Sequence, residues 1–170
     1  MKSRDIAFVS IGAVIITVSA ILTIPFAVPF TFQSFGVFFV LLVFGGKRGT
    51  FSVSVYLSLG LVGIPVFSGF GAGFGVVFGP TGGYLVGFLI IGLVYWFFEK
   101  YLKKDFQKIL MMFLCMAIYY AVGTLFFVIW GGSEQTFLAA LPVAVFPFLL
   151  PDIAKMALAF FIYKRIGVLI

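Results

Sequence analysis

The sequence predicts an all-α membrane protein. The expected architecture is a compact bundle of six transmembrane helices, with a Gly-rich outer loop between helices three and four and both termini cytoplasmic. Three observations carry this. The 170 residues are 64% hydrophobic and 9% charged, with a mean hydropathy of +1.29, far outside the range of soluble domains. Uncharged runs cover residues 6–46, 49–98 and 109–130, and a helix needs about 20 apolar residues to cross a bilayer. The first two runs are therefore helix pairs and the third a single span; the C-terminal stretch adds a sixth. Finally, every Lys/Arg except Lys155 sits at the end of an apolar segment or in a short connection, as topology signals do. Six spans leave about 50 residues for all connections. Residues 1–170 are thus expected to form one domain.

Span one is expected at 6–24. Its charged start and Ser19-Ala20 resemble a signal peptide, but the apolar stretch runs on to Ile24 and reads as an uncleaved first span. Pro25 and Pro29 end it in a turn. Span two (32–44) and span three (50–62) are short, so neighbours must shield them or irregular backbone must continue them. Between them, Gly45-Gly46-Lys47-Arg48-Gly49 reads as a tight basic turn. A Gly-rich connection covers 63–83. Span four is expected at 84–98, a charged loop at 99–108 and span five at 109–130. A turn at 131–135 and an apolar stretch at 137–148 lead to Pro151, with span six at 152–163.

Charge distribution orients the bundle. With six spans, the termini and the second and fourth loops share a side. That side holds Lys2, Arg4, Lys47, Arg48, Lys100, Lys103, Lys104, Lys108, Lys164 and Arg165. The three loops of the other side hold none, so the termini read as cytoplasmic. The net charge of +6 therefore does not point to nucleic acid.

Catalysis lacks parts. There is no His, and the acidic residues Asp5, Glu99, Asp105, Glu134 and Asp152 are scattered. No carboxylate pair suits acid–base work, and no cofactor or metal set is present. Cys115 is alone in its span and reads as a packing residue. Gly46-Lys47 fails as a phosphate loop, because Leu41 stands where the first Gly belongs and Arg48 replaces Ser/Thr. Active transport would therefore draw its energy from a partner or a gradient.

Binding chemistry is better supplied. Asp152 and Lys155 lie within a predicted span, where a charge costs about 3 kcal/mol or more. Three apart on a helix, they share a face and could present an acceptor and a cation to one small polar ligand. The competing reading is an internal ion pair that only holds helices together. The outer connection offers approachable backbone at its glycines, including Gly82 and Gly83, interleaved with Phe67, Phe70, Phe74, Phe78 and Tyr84. Gln33 opens span two on the same side and could supply an amide. In span one, Ser10, Ala13, Thr17 and Ala20 form a stripe of small residues. Such a stripe lets another helix approach closely, in this bundle or in a separate membrane subunit.

Together these segments resemble a known family. They are Ile24-Pro-Phe-Ala-Val-Pro-Phe-Thr-Phe-Gln33, Gly45-Gly-Lys-Arg-Gly49, Gly60-Leu-Val-Gly-Ile-Pro-Val-Phe67, Gly79-Pro-Thr-Gly-Gly-Tyr84 and Phe148-Leu-Leu-Pro-Asp-Ile-Ala-Lys155. The family is the biotin-specific substrate-binding (S) component of energy-coupling factor transporters, the BioY family. The resemblance spans nearly the whole chain; Phe30-Thr31-Phe32 departs from the smaller aliphatic residue the family tends to carry before Gln. It implies six helices, location in a prokaryotic plasma membrane, and a biotin site near the outer surface with Asp152, Lys155 and Tyr84 at matching positions. It implies as partners a transmembrane coupling subunit, which the small-residue face of span one would meet, and a pair of cytoplasmic ATPases. Other readings are a binding component for another vitamin, a gradient-driven permease, a structural membrane protein or, least supported, a membrane enzyme. Which of Asp152 and Lys155 meets the ureido group and which the carboxylate stays open.

Overall fold

The computed structural model describes residues 3–24, 28, 30–130 and 136–166. Lys2, Pro25, Pro29 and the expected turn at 131–135, with Glu134, lie outside the described residues. Helix α1 (Ser3–Ile21) starts on the polar Ser-Arg-Asp segment. A two-residue antiparallel pair follows, β1 (Thr23–Ile24) with β2 (Phe30–Thr31), setting Thr23 opposite Thr31 and Ile24 opposite Phe30.

Helix α2 (Gln33–Leu61) replaces the expected spans two and three and the turn between them. Its backbone leaves helical geometry at one residue, Gly45, with φ 83° and ψ 164°, a region open essentially to Gly alone. The two arms double back there. A Cβ built on Gly49 would lie 2.9 Å from the Leu41 Cα, whereas a straight helix separates residues eight apart by about 12 Å. The remaining residues of the expected basic turn are helical. Gly46 is needed for packing rather than for turning, since a Cβ there would lie 2.5 Å from the Trp96 Cα.

The Gly-rich connection is structured. It holds a 3₁₀ turn at Ser68–Phe70 and the short helix α3 (Phe74–Val77). It is pinned by the Gly73 N–H, which donates to the Gly60 carbonyl at 2.7 Å. Helix α4 (Gly82–Phe98), a 3₁₀ turn at Glu99–Tyr101 and helix α5 (Asp105–Trp130) come next. Helix α6 (Phe137–Ala144) is capped by Thr136, whose hydroxyl accepts from the Ala139 N–H. Helix α7 (Phe146–Ile166) starts well before the expected 152. Pro147 stands in its first turn, where the missing N–H has no partner to lose; Pro151 forfeits only the bond to the Pro147 carbonyl.

Helix α1 packs on α2, α2 on α4 and α7, α4 on α5, and α6 on α5 and α7. The shared core includes Ile16, Val37, Val53, Tyr56, Ile91 and Ala159. The outward faces are also apolar, with Ile6, Val14, Leu110, Ile129 and Phe161 exposed. Among the described residues, five helices are long and apolar enough to cross a bilayer. The chain is a multi-pass membrane protein.

Candidate functional site

Helix α7 buries one stripe, Phe148, Asp152, Lys155, Met156 and Ala159, spaced four, three, one and three apart as one helical face requires. Asp152 and Lys155 are each 5% exposed. Two bare charges at that depth would be prohibitive, so their partners decide what the pair can do.

The Asp152 carboxylate is fully engaged. One oxygen accepts from the Lys155 ammonium at 2.7 Å and from the Ser34 hydroxyl at 2.9 Å. The other accepts from the Tyr120 hydroxyl at 2.7 Å and from the Tyr119 hydroxyl. A carboxylate has about four lone-pair sites, and all four are used. Lys155 has three protons. One goes to Asp152 and one to the Thr31 carbonyl at 2.7 Å. The ammonium also lies 4.1 Å from the centroid of the Phe30 ring, a cation–π contact. The network joins α2, β2, α5 and α7 in one polar cluster.

The cluster borders a cavity of about 80 Å³. Its polar lining also includes Gln33, whose amide donates to the Tyr56 hydroxyl at 2.9 Å, and Tyr84, whose hydroxyl donates to the Ala144 carbonyl at 2.7 Å. Phe67, Val76, Leu85, Phe88 and Phe148 supply apolar walls. Tyr119 and Tyr120 stack with centroids 4.4 Å apart, and Phe88 tilts onto Tyr119 at 5.3 Å. Apolar walls with a few convergent polar groups are the usual form of a small-molecule site.

Of the residues singled out in the sequence, Asp152, Lys155, Gln33 and Tyr84 line this cavity. Gly82 and Gly83 do not. They open α4, where a Cβ on Gly82 would lie 1.9 Å from the Val77 carbonyl oxygen and one on Gly83 2.4 Å from the Phe126 Cβ. Both glycines serve close packing. Phe74 also stands apart from the lining; it is 66% exposed and stacks on Phe78. The small-residue stripe is divided. Ala13 and Ala20 are buried in the core and Thr17 is half-buried, while Ser10 is exposed beside Ile11, Val14 and Val18. Sequence reasoning missed Ser34, Tyr119 and Tyr120. The signal for the tyrosines was available: two adjacent hydroxyls in the middle of an apolar run.

Comparisons agree with this fold. The model of the BioY family matches residues 1–169. The probable biotin transporter BioY of Pyrococcus horikoshii is 32% identical over 98% of each chain. The biotin transporter BioY of Thermotoga maritima is 43% identical over 39% of this chain and 40% of its own. A crystal structure of the S-component for biotin from an ECF-type ABC transporter superposes with a TM-score of 0.87 at 26% identity, covering 98% of this chain and 92% of that one. With the family pattern matched from end to end and the helical bundle reproduced, the chain belongs to the BioY family.

Proposed function

We propose that this protein captures biotin and mediates its uptake across the cell membrane as the substrate-binding subunit of an energy-coupling factor transporter. The observation that carries the proposal is the Asp152–Lys155 cluster set in an apolar-walled cavity, in a chain similar throughout to biotin transporters. Biotin combines an apolar fused ring with a ureido group of two N–H donors and one carbonyl, and a carboxylate tail. Phe67, Phe88 and Phe148 suit the rings. Asp152 suits the ureido N–H groups. The hydroxyls of Tyr119, Tyr120 and Ser34, which can turn, and the Lys155 ammonium suit the ureido carbonyl. Charge-assisted bonds of this kind contribute about 1.5–3 kcal/mol each.

The rest of the reading follows from the family and the charge pattern. The two arms of α2, counted separately with α1, α4, α5 and α7, make six spans. The basic ends support termini on the cytoplasmic side, and the family supports a prokaryotic plasma membrane. No nucleotide-binding motif is present in the sequence, so partner ATPases acting through a membrane coupling subunit supply the energy. For that partner, the exposed α1 face at Ser10 is available, whereas Ala13 and Ala20 are already packed.

Calorimetric titration of biotin into the detergent-purified protein tests the ligand. Nanomolar binding is expected. A folded protein that gives no heat would remove biotin and direct the search to other vitamins.

A further inference from the structure

Away from the cavity, the end of α4 carries a second feature. An open groove on its outward face is lined by Leu93, Val94, Trp96, Phe97 and Phe98. Leu93 is 51% exposed and Phe97 66%. Immediately beyond the groove stand Lys100, Lys103 and Lys104. The Lys100 ammonium lies 5.8 Å from the Phe97 ring centroid and 4.9 Å from that of Tyr101, which places a cation at the mouth of the groove.

The other basic residues nearby are already engaged. Lys108 donates to the Tyr163 hydroxyl at 2.5 Å, and Lys164 pairs with Asp105 at 2.6 Å. No ion pair engages Lys100, Lys103 or Lys104 among the described residues. The neighbouring acid, Glu99, turns toward the bend of α2, where a Cβ on Gly45 would lie 2.9 Å from its Oε1. An apolar groove on a membrane-length helix thus ends beside three lysines that have no ion-pair partner among the described residues.

We propose that this end of α4 binds an anionic glycerophospholipid. One acyl chain lies along the groove, and the phosphate meets Lys100, Lys103 and Lys104. Basic residues just beyond a membrane helix attract anionic lipid, and a zwitterionic headgroup would bring its own cation against the lysines. The proposal depends on the membrane reading and not on biotin.

Trp96 reports on the groove directly. The sequence has two tryptophans, so Trp130→Phe leaves Trp96 as the only one. This variant is reconstituted in two vesicle mixtures, brominated phosphatidylglycerol in phosphatidylcholine and the reverse labelling. Brominated phosphatidylglycerol is expected to quench Trp96 about threefold or more beyond its share of the bilayer. The preference should vanish in a variant that also carries Lys100→Gln, Lys103→Gln and Lys104→Gln, three exposed positions, with an unchanged thermal midpoint showing that it is folded. Quenching that follows bulk lipid composition would overturn the proposal, as would a preference that survives the triple substitution.

Discussion

Asp152→Asn is the most informative substitution in this protein, because it keeps shape while changing hydrogen-bond logic. The carboxylate accepts from two donors on each oxygen. An amide replaces one acceptor edge with N–H groups. If that edge faces Lys155 and Ser34, it meets an ammonium that cannot accept. If it faces Tyr119 and Tyr120, the hydroxyls must turn, and their protons need new acceptors in a buried wall. Each buried donor left unmatched costs about 1–3 kcal/mol, and Lys155 loses its counter-charge. Breaking a buried ion pair from one side costs about 3–5 kcal/mol, so the thermal midpoint should fall by about 6–20 °C. On the proposed binding mode biotin would lose a charge-assisted bond of about 1.5–3 kcal/mol, a weakening of roughly 10- to 150-fold. Calorimetry and thermal unfolding in one detergent read the two effects separately. A variant with the wild-type dissociation constant would refute the role of Asp152 in recognition. A wild-type thermal midpoint would refute the network argument.

Four further substitutions probe other parts of the structure. Tyr120→Phe removes one donor and leaves the stacked ring, so biotin binding should weaken by about 1 kcal/mol, roughly fivefold, in the same titration; unchanged affinity would exclude the hydroxyl from the site. Gly46→Ala puts a methyl group 2.5 Å from the Trp96 Cα, forcing α2 and α4 apart at a cost of about 1–3 kcal/mol; an unchanged thermal midpoint would contradict the close approach. Ala13→Leu overfills the core by a similar amount and should lower the thermal midpoint of the isolated protein. Ser10→Trp, on the exposed face, should leave that midpoint unchanged while reducing co-purification of the partner subunits. Equal thermal midpoints for these last two would contradict the assignment of their faces.

The parts of the fold legible in the sequence are those set by solvation. Apolar runs marked the helices, and the cost of charge in a membrane marked Asp152 and Lys155 before any contact was known. The parts that were hidden are tertiary. Gly45-Gly46-Lys47-Arg48-Gly49 has the composition of a loop, yet only Gly45 turns, while Gly46 and Gly49 are small because Trp96 and Leu41 press on them. Gly82 and Gly83 look like loop backbone offered to a ligand but are consumed by Val77 and Phe126. Pro151 looks like a helix start, yet Pro147 holds that place. Tyr119 and Tyr120 sat in plain view, but a tyrosine in a span acquires a role only once the acid it faces is located. Neighbours 32 or 33 residues away in sequence leave no local pattern.

Because Asp152 is already satisfied by protein donors, the proposed binding there would be an exchange. Each ligand N–H that it accepts displaces a hydroxyl proton, and that proton must find another acceptor. Biotin's ureido carbonyl has two lone pairs, enough for two displaced hydroxyls, so donors and acceptors stay balanced. A ligand head with donors alone breaks the balance. Protonated 2-iminobiotin is such a head, with a guanidinium in place of the urea. It would orphan about two hydroxyl protons at roughly 1–3 kcal/mol each and would set a second cation near Lys155. Its affinity should therefore fall at least about 30-fold below that of biotin, measured by competition at a pH where the guanidinium is charged. Comparable binding of the two would mean that the hydroxyls of Tyr119, Tyr120 and Ser34 do not follow the ligand, and that Asp152 only ties the helices together.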